Sequence, residues 1–335
     1  MKAPRFWQSG GPAAAALAPL GALTAAATAR RVARPGVRLG VPVICAGNLT
    51  AGGAGKTPTV MHLIADLAAR GVAPHVVSRG HGGTERGPLR VDPGRHAAAQ
   101  VGDEPLLLAA LAPTWIARDR AAGGRAAEAA GAGAVILDDG FQNPGLVKDL
   151  SILVIDAETG FGNGRCLPAG PLREPPEAGR ARADLALLIG PEDARAAARP
   201  LAGDLPVAEG EVAPLPTGMD WAGLRVVAFA GIGRPAKFFA TLRALGAEIV
   251  EAVPLADHAE LSPALMRRLA ARAAAAGARL VCTEKDAVRL PPAWRGEVLP
   301  LPVRLRIEPG GPLEAALGRL FGEVRPRGGG RPRHP

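Results

Sequence analysis

Residues 41–58 read VPVICAGNLTAGGAGKTP. The first half is a short apolar run of the kind that forms a buried strand, and the residues after it have a helical texture. Between them lies a Gly-rich turn closing on Gly55, Lys56 and Thr57. A phosphate-binding loop requires that strand–turn–helix context. Glycines at positions 52, 53 and 55 let the backbone approach phosphate oxygens, and amides at the helix start point at the anion. Lys56 would face the β- and γ-phosphates, and Thr57 would offer a hydroxyl to Mg²⁺. Thr50, Ala51, Gly52, Gly53, Ala54, Gly55, Lys56 and Thr57 are therefore the expected ATP-binding loop. One departure stands out: the common pattern has glycine five positions before Gly55, where this chain has Thr50. A purely structural glycine turn is the alternative reading.

Outward from this loop, apolar runs alternate with Ala-rich helical stretches. APHVVSRG (73–80), GAVILDDG (133–140), LSILVIDA (150–157) and ADLALLIG (183–190) read as further buried strands. Such alternation predicts an α/β fold: a mostly parallel sheet covered by helices, P-loop NTPase-like. A Pro- and Gly-rich segment, 206–223, reads as a linker. A second cycle follows, with strands in 225–233, 247–255 and 278–286 and helices over 235–245 and 262–276. The expected division is an amino-terminal membrane-interface helix (1–35), a P-loop domain (36–220), a smaller α/β domain (221–325) and a disordered basic tail (326–335).

The chain has 335 residues and a formal charge of +9, which favours an anionic partner. Its three cysteines are widely spaced, so neither a disulfide framework nor a zinc knuckle is indicated. Phe6 and Trp7 precede an apolar stretch, 12–29, that ends at Arg30 and Arg31. Aromatic at one end and basic at the other, it reads as an interfacial helix. An ordinary packed helix and a signal sequence, with TAAATA (24–29) at a cleavage-like site, compete with that reading.

Acidic residues fall where ligands bind in open α/β sheets. Asp138 and Asp139 end a strand, where a carboxylate can anchor Mg²⁺. Asp103 and Glu104, in VGDEP, adjoin a helix start and could be simple capping residues. His258, in LADHAEL, is unremarkable by itself. Arg79 closes one strand, Arg173 and Glu174 lie in LPAGPLREP (167–175), and Arg234 and Lys237 lie in GIGRPAKFF (231–239). TEKD (283–286) adds a further mixed cluster.

GNLTAGGAGKTP, VSRGHGG, GDEP, DDGFQ, FGNGRCLPAGPLRE, FAGIGRPAKFFATL, PLADHAEL and TEKDAVRL occur in one order. In that order, over about residues 4–320, the chain resembles the tetraacyldisaccharide 4'-kinases, the lipid A 4'-kinases. The resemblance implies a two-domain kinase at the cytoplasmic face of the bacterial inner membrane. It would use MgATP to phosphorylate the 4'-hydroxyl of an acylated glucosamine disaccharide 1-phosphate. A monomer with no nucleic-acid partner is expected. Asp103 and His258 map to the family's catalytic pair. Metal anchoring is assigned to Thr57, Asp138 and Glu104, with Asp139, Arg79, Arg173 and Glu174 as further active-site candidates. This chain departs from the family at His81, usually Tyr, and at Asn143, often His. The rival classes are a P-loop GTPase or metallochaperone, and a nucleotide-dependent scaffold without catalysis.

Overall fold

The computed structural model describes residues 4–322. In chain order its strands are β1 (Val43–Gly47), β2 (Pro74–Ser78), β3 (Leu89–Arg90), β4 (Thr114–Ile116), β5 (Ala134–Asp138), β6 (Leu150–Asp156) and β7 (Leu185–Ile189). They continue with β8 (Val207–Pro214), β9 (Arg225–Ala230), β10 (Glu248–Pro254), β11 (Arg279–Thr283), β12 (Val298–Leu301) and β13 (Val303–Ile307). Nine form one sheet, in the order β13-β8-β7-β6-β1-β5-β2-β4-β3. The other four form a second, ordered β10-β9-β11-β12.

β1 lies inside the larger sheet, parallel to both β5 and β6. Every residue of β1, β2, β5, β6 and β7 is buried. That explains why these strands read as continuous apolar runs rather than as alternating patterns. The two-residue period survives inside the core. Ile44 and Ala46 join Val60, Leu63 and Leu67 of helix Lys56–Ala69 on one face, whereas Val43 and Cys45 pack with Leu49 and Val77 on the other. In the smaller sheet, Val226, Ala228 and Ala230 face helix Pro235–Ala244, and Val227 and Phe229 face helix Pro263–Ala275.

Two expectations need correction. The segment 206–223 is not wholly a linker, because Val207–Pro214 is β8, parallel to β7 and antiparallel to β13. Its Gly210 marks a close backbone approach: a Cβ there would lie 2.7 Å from the Arg306 carbonyl oxygen. Nor do residues 221–325 stay with the smaller unit. After β12 the chain returns as β13 to the edge of the larger sheet. Helix Pro312–Phe321 then buries Leu313, Ala316 and Leu317 in the large core. The smaller unit thus spans β9 to β12 and is an excursion from the larger one. The basic tail, 326–335, lies outside the described residues.

Helix Pro12–Val32 docks by small residues at seven-residue intervals: Ala14, Gly21 and Thr28 are its buried positions. A Cβ at Gly21 would lie 2.9 Å from the Cys166 carbonyl oxygen. The Thr28 hydroxyl donates to the Arg173 carbonyl at 3.0 Å, and Trp7 Nε1 donates to the Pro168 carbonyl at 3.0 Å. The opposite face presents Leu20, 49% exposed, and Leu23, 66% exposed, among alanines. This helix is long and apolar enough to cross a membrane.

Candidate active site

The Gly-rich loop leaves β1 and enters helix Lys56–Ala69 at the carboxyl edge of the larger sheet. Gly55 caps that helix at φ 86°, and a Cβ there would meet Ile189 Cδ1 at 2.7 Å, so only glycine suits the position. Beside Gly52, at φ 125°, and Gly53, nothing lies within 4 Å of an added Cβ, so this wall of the loop is open. Both features fit a phosphate cradle. The departure at Thr50 has a physical reason. Thr50 is bridged antiparallel to Leu172, and its neighbour Ala51 donates its amide to the Pro171 carbonyl at 2.7 Å. Extended pairing replaces the usual turn there, so glycine's freedom is not needed.

Lys56 Nζ donates to Asn48 Oδ1 at 3.0 Å and lies 3.7 Å from Asp139 Oδ1. Arg173 Nη1 donates to the same Asp139 oxygen at 2.8 Å. Asp139 has φ 53°, a backbone conformation uncommon for a residue with a side chain. Burial would raise its carboxyl, but Lys56 and Arg173 outweigh this and hold it below the usual range. Asp138 is the opposite case. Burial, with repulsion from Glu104 and Asp139, pushes its carboxyl up to about 7, although Lys56 and a hydrogen bond from Ser78 favour the anion. Two adjacent carboxyls are thus tuned apart.

The other half of the site spans the two units. Asp103 opens helix Asp103–Ala109, and its Oδ1 accepts the Glu104 amide at 3.0 Å. His258, from the loop after β10, places Nδ1 2.9 Å from Asp103 Oδ2. Lys285 Nζ donates to Glu104 Oε1 at 3.1 Å, and Lys285 and Arg289 each come within 3.9 Å of Asp103 Oδ2. Burial opposes ionisation of Asp103, yet the His258 hydrogen bond and these cations bring its carboxyl below the usual range. His258 is shifted upward, chiefly by its hydrogen bond to Asp103. Below its pKa the pair is imidazolium and carboxylate, in a setting that favours both charges.

The remaining candidates divide. Glu174 is buried and accepts from Gln142 Nε2 at 2.9 Å and from Arg182 Nη2 at 2.8 Å, and Gln142 in turn accepts from Arg173 Nη1 at 3.3 Å. Arg79, at the end of β2, is exposed and makes no side-chain hydrogen bond or ion pair among the described residues. Of the two departures, Asn143 uses its Oδ1 locally to accept the Gly145 amide at 2.8 Å. The His81 ring stands edge-on to His258, with centroids 6.4 Å apart. Sequence reasoning missed Asn48, Ser78 and Gln142 as site residues. Each lies inside a block that was recognised; Ser78 and Gln142 are tied to the site by partners remote in sequence, Asp138 and Glu174, whereas Asn48 meets Lys56 across the loop itself. No cluster of three or more His, Cys, Asp or Glu able to hold a metal ion occurs among the described residues.

A Gly-rich strand-to-helix loop inside a mostly parallel sheet, with a carboxylate–imidazole pair joining the two units, is the arrangement of a P-loop phosphotransferase. The comparisons agree. Residues 13–321 match the model of the family described as tetraacyldisaccharide-1-P 4'-kinase. A tetraacyldisaccharide 4'-kinase of Dinoroseobacter shibae is 62% identical over 96% of this chain and 98% of its own. The one from Caulobacter vibrioides is 49% identical over 94% and 97%. A solved LpxK structure from Aquifex aeolicus, described as an "apo" form in complex with ATP, superposes with a TM-score of 0.74. It is 27% identical and covers 92% of this chain and 99% of its own. The chain belongs to the tetraacyldisaccharide-1-P 4'-kinase family.

Proposed function

We propose that this chain transfers the γ-phosphate of ATP to the 4'-hydroxyl of a tetraacylated glucosamine disaccharide 1-phosphate, using the Asp103–His258 pair to manage the hydroxyl proton. The observation that carries this reading is the 2.9 Å contact between those side chains, on the same carboxyl edge as Lys56, Asp138 and Asp139. The nucleotide would lie along residues 50–57, with Lys56 against its β- and γ-phosphates. Thr57 and Asp138 would hold Mg²⁺, which neutralises charge on the phosphates. Glu104 is the weaker candidate, because Lys285 already engages it. No three-residue metal cluster occurs among the described residues, so phosphate oxygens and water would supply the remaining ligands, as Mg²⁺ favours.

Phosphoryl transfer needs alignment, charge neutralisation and a base. Asp103 accepts the sugar hydroxyl proton, and His258 orients Asp103 and stabilises its charge. A second reading has His258 as the base, oriented by Asp103. It is favoured by exposure: the Asp103 side chain is 5% exposed and that of His258 is 41% exposed. His258→Gln separates the two. It should keep much of the rate if Asp103 is the base, and be as impaired as His258→Ala if the imidazole is.

The exposed apolar face of helix Pro12–Val32 would lie in the interface of the bacterial inner membrane, on its cytoplasmic side. The helix touches the Arg173 backbone through Thr28, so a lipid approaching along it would arrive beside Asp139. The test of the activity is transfer of labelled phosphate from ATP to the acylated disaccharide 1-phosphate. Incorporation at the 4' position supports the reading; ATP hydrolysis without incorporation would overturn it.

A further inference from the structure

The two units meet at a second place, at the carboxyl end of β6. Arg234, immediately before helix Pro235–Ala244, reaches the end of β6. Its Nη1 lies 3.5 Å from Asp156 Oδ1 and donates to Glu158 Oε2 at 3.1 Å, and its Nη2 pairs with Asp156 Oδ2. Lys237, one turn on, donates to the same Glu158 oxygen at 2.9 Å. The Asp156 side chain is only 8% exposed. Its Oδ1 is fixed by the amides of Glu158 and Thr159 at 3.1 and 3.2 Å. An isolated surface ion pair contributes little. Here two cations share two carboxylates, and one carboxylate is nearly buried and preset by its own turn.

The loop that carries Arg234 also holds the catalytic histidine. Gly231, three residues earlier, accepts the His258 amide at 3.1 Å and Arg289 Nη2 at 3.0 Å. Its own amide donates to Asp286 Oδ1 at 3.0 Å. His258 has φ 58°, a conformation a non-glycine residue keeps only when its surroundings impose it. One short loop, 231–234, is thus pinned to the larger unit at its far end and to the His258 backbone at its near end.

We propose that Arg234 is a positioning residue: its grip on Asp156 and Glu158 fixes the loop that sets His258 against Asp103. The proposal rests on the reading of Asp103 and His258 as the catalytic pair. It assigns Arg234 no contact with substrate. Its effect belongs in kcat rather than in nucleotide affinity.

Arg234→Gln and Asp156→Asn test it with full-length protein, ATP and the acylated disaccharide acceptor. Asparagine keeps the Oδ1 acceptor for the turn and replaces the Oδ2 acceptor that pairs with Arg234 by an amide donor, which breaks the pair. Each variant should lower kcat by about ten- to a hundredfold, as expected for small misplacements of a catalytic group, with KM for ATP little changed. The double variant should be no worse than either single, and Arg234→Lys should regain most of the rate. Combined with Asp103→Ala, Arg234→Gln should cost nothing further. Wild-type kcat in Arg234→Gln while Asp103→Ala is disabled would overturn the positioning role alone. So would a full multiplicative loss in the Asp103→Ala background. Full activity of Asp103→Ala would remove the pair itself, and the proposal with it.

Discussion

His258 Nδ1 lies 2.9 Å from Asp103 Oδ2 across 155 residues of sequence and across the meeting of two sheets. The contact joins the opening of helix Asp103–Ala109 to a loop whose backbone is held by Gly231. It makes docking of the smaller unit and assembly of the proposed catalytic pair one event.

That coupling has a pH signature. His258 is raised above 6.5 in the folded protein, chiefly by Asp103. Its stabilising attraction is therefore fully present below 6.5 and is lost as pH rises through the folded value. Asp103 is lowered below 3.8, so its contribution is present above 3.8 and is lost as pH falls through its folded value. The difference in Tm between wild type and His258→Gln should be largest between those limits. It should shrink toward zero on the alkaline side. Calorimetry over a pH series checks this, and a pH-independent difference would show that the pair carries no charge linkage.

Lys56→Ala removes the cation shared by Asn48 and Asp139. Turnover should fall on the order of a hundred- to a thousandfold, in line with loss of one preorganised electrostatic contact. The fold should persist, because Lys56 belongs to neither core cluster. Steady-state kinetics with circular dichroism measure both. Near wild-type turnover would contradict the phosphate-loop assignment.

Deletion of residues 1–29 removes the helix face that carries Leu20 and Leu23 and the Thr28 contact to Arg173. The protein should move toward the soluble fraction and use the acylated acceptor poorly. Its ATP affinity should change little, since Phe6, Trp7 and Thr28 contact the 163–173 region rather than residues 52–57. Vesicle flotation and acceptor KM report the two effects. Intact mass of the expressed protein decides against a signal sequence if residues 1–29 are retained.

The fold was legible where it is local. Buried parallel strands write themselves as apolar runs, so β1, β2, β5, β6 and β7 were readable, as was the turn from β1 into its helix. β13 and helix Pro312–Phe321 were not, because their partners are β8 and the large core, far away in sequence. β8 hid for a related reason: it is half-buried, carries Gly210 and ends on Pro214, which resembles a linker. In the candidate site, spacing singled out Lys56 and Thr57, and the structure sets Lys56 against Asn48 and Asp139. Asp103 and His258 became a pair only through family resemblance, since nothing local joins a helix-start acid to a loop histidine. The tuning of Asp138 against Asp139 needed the positions of Glu104, Lys56 and Arg173 in space.

The most direct test of the catalytic pair is a double-mutant cycle on kcat. Asp103→Ala and His258→Ala should each lower kcat by about a hundred- to ten-thousandfold, the range of general-base assistance, with ATP affinity nearly unchanged. Because the two side chains act as a unit, the double variant should be little worse than either single. Strictly multiplicative losses would mean two independent roles and would contradict the pair.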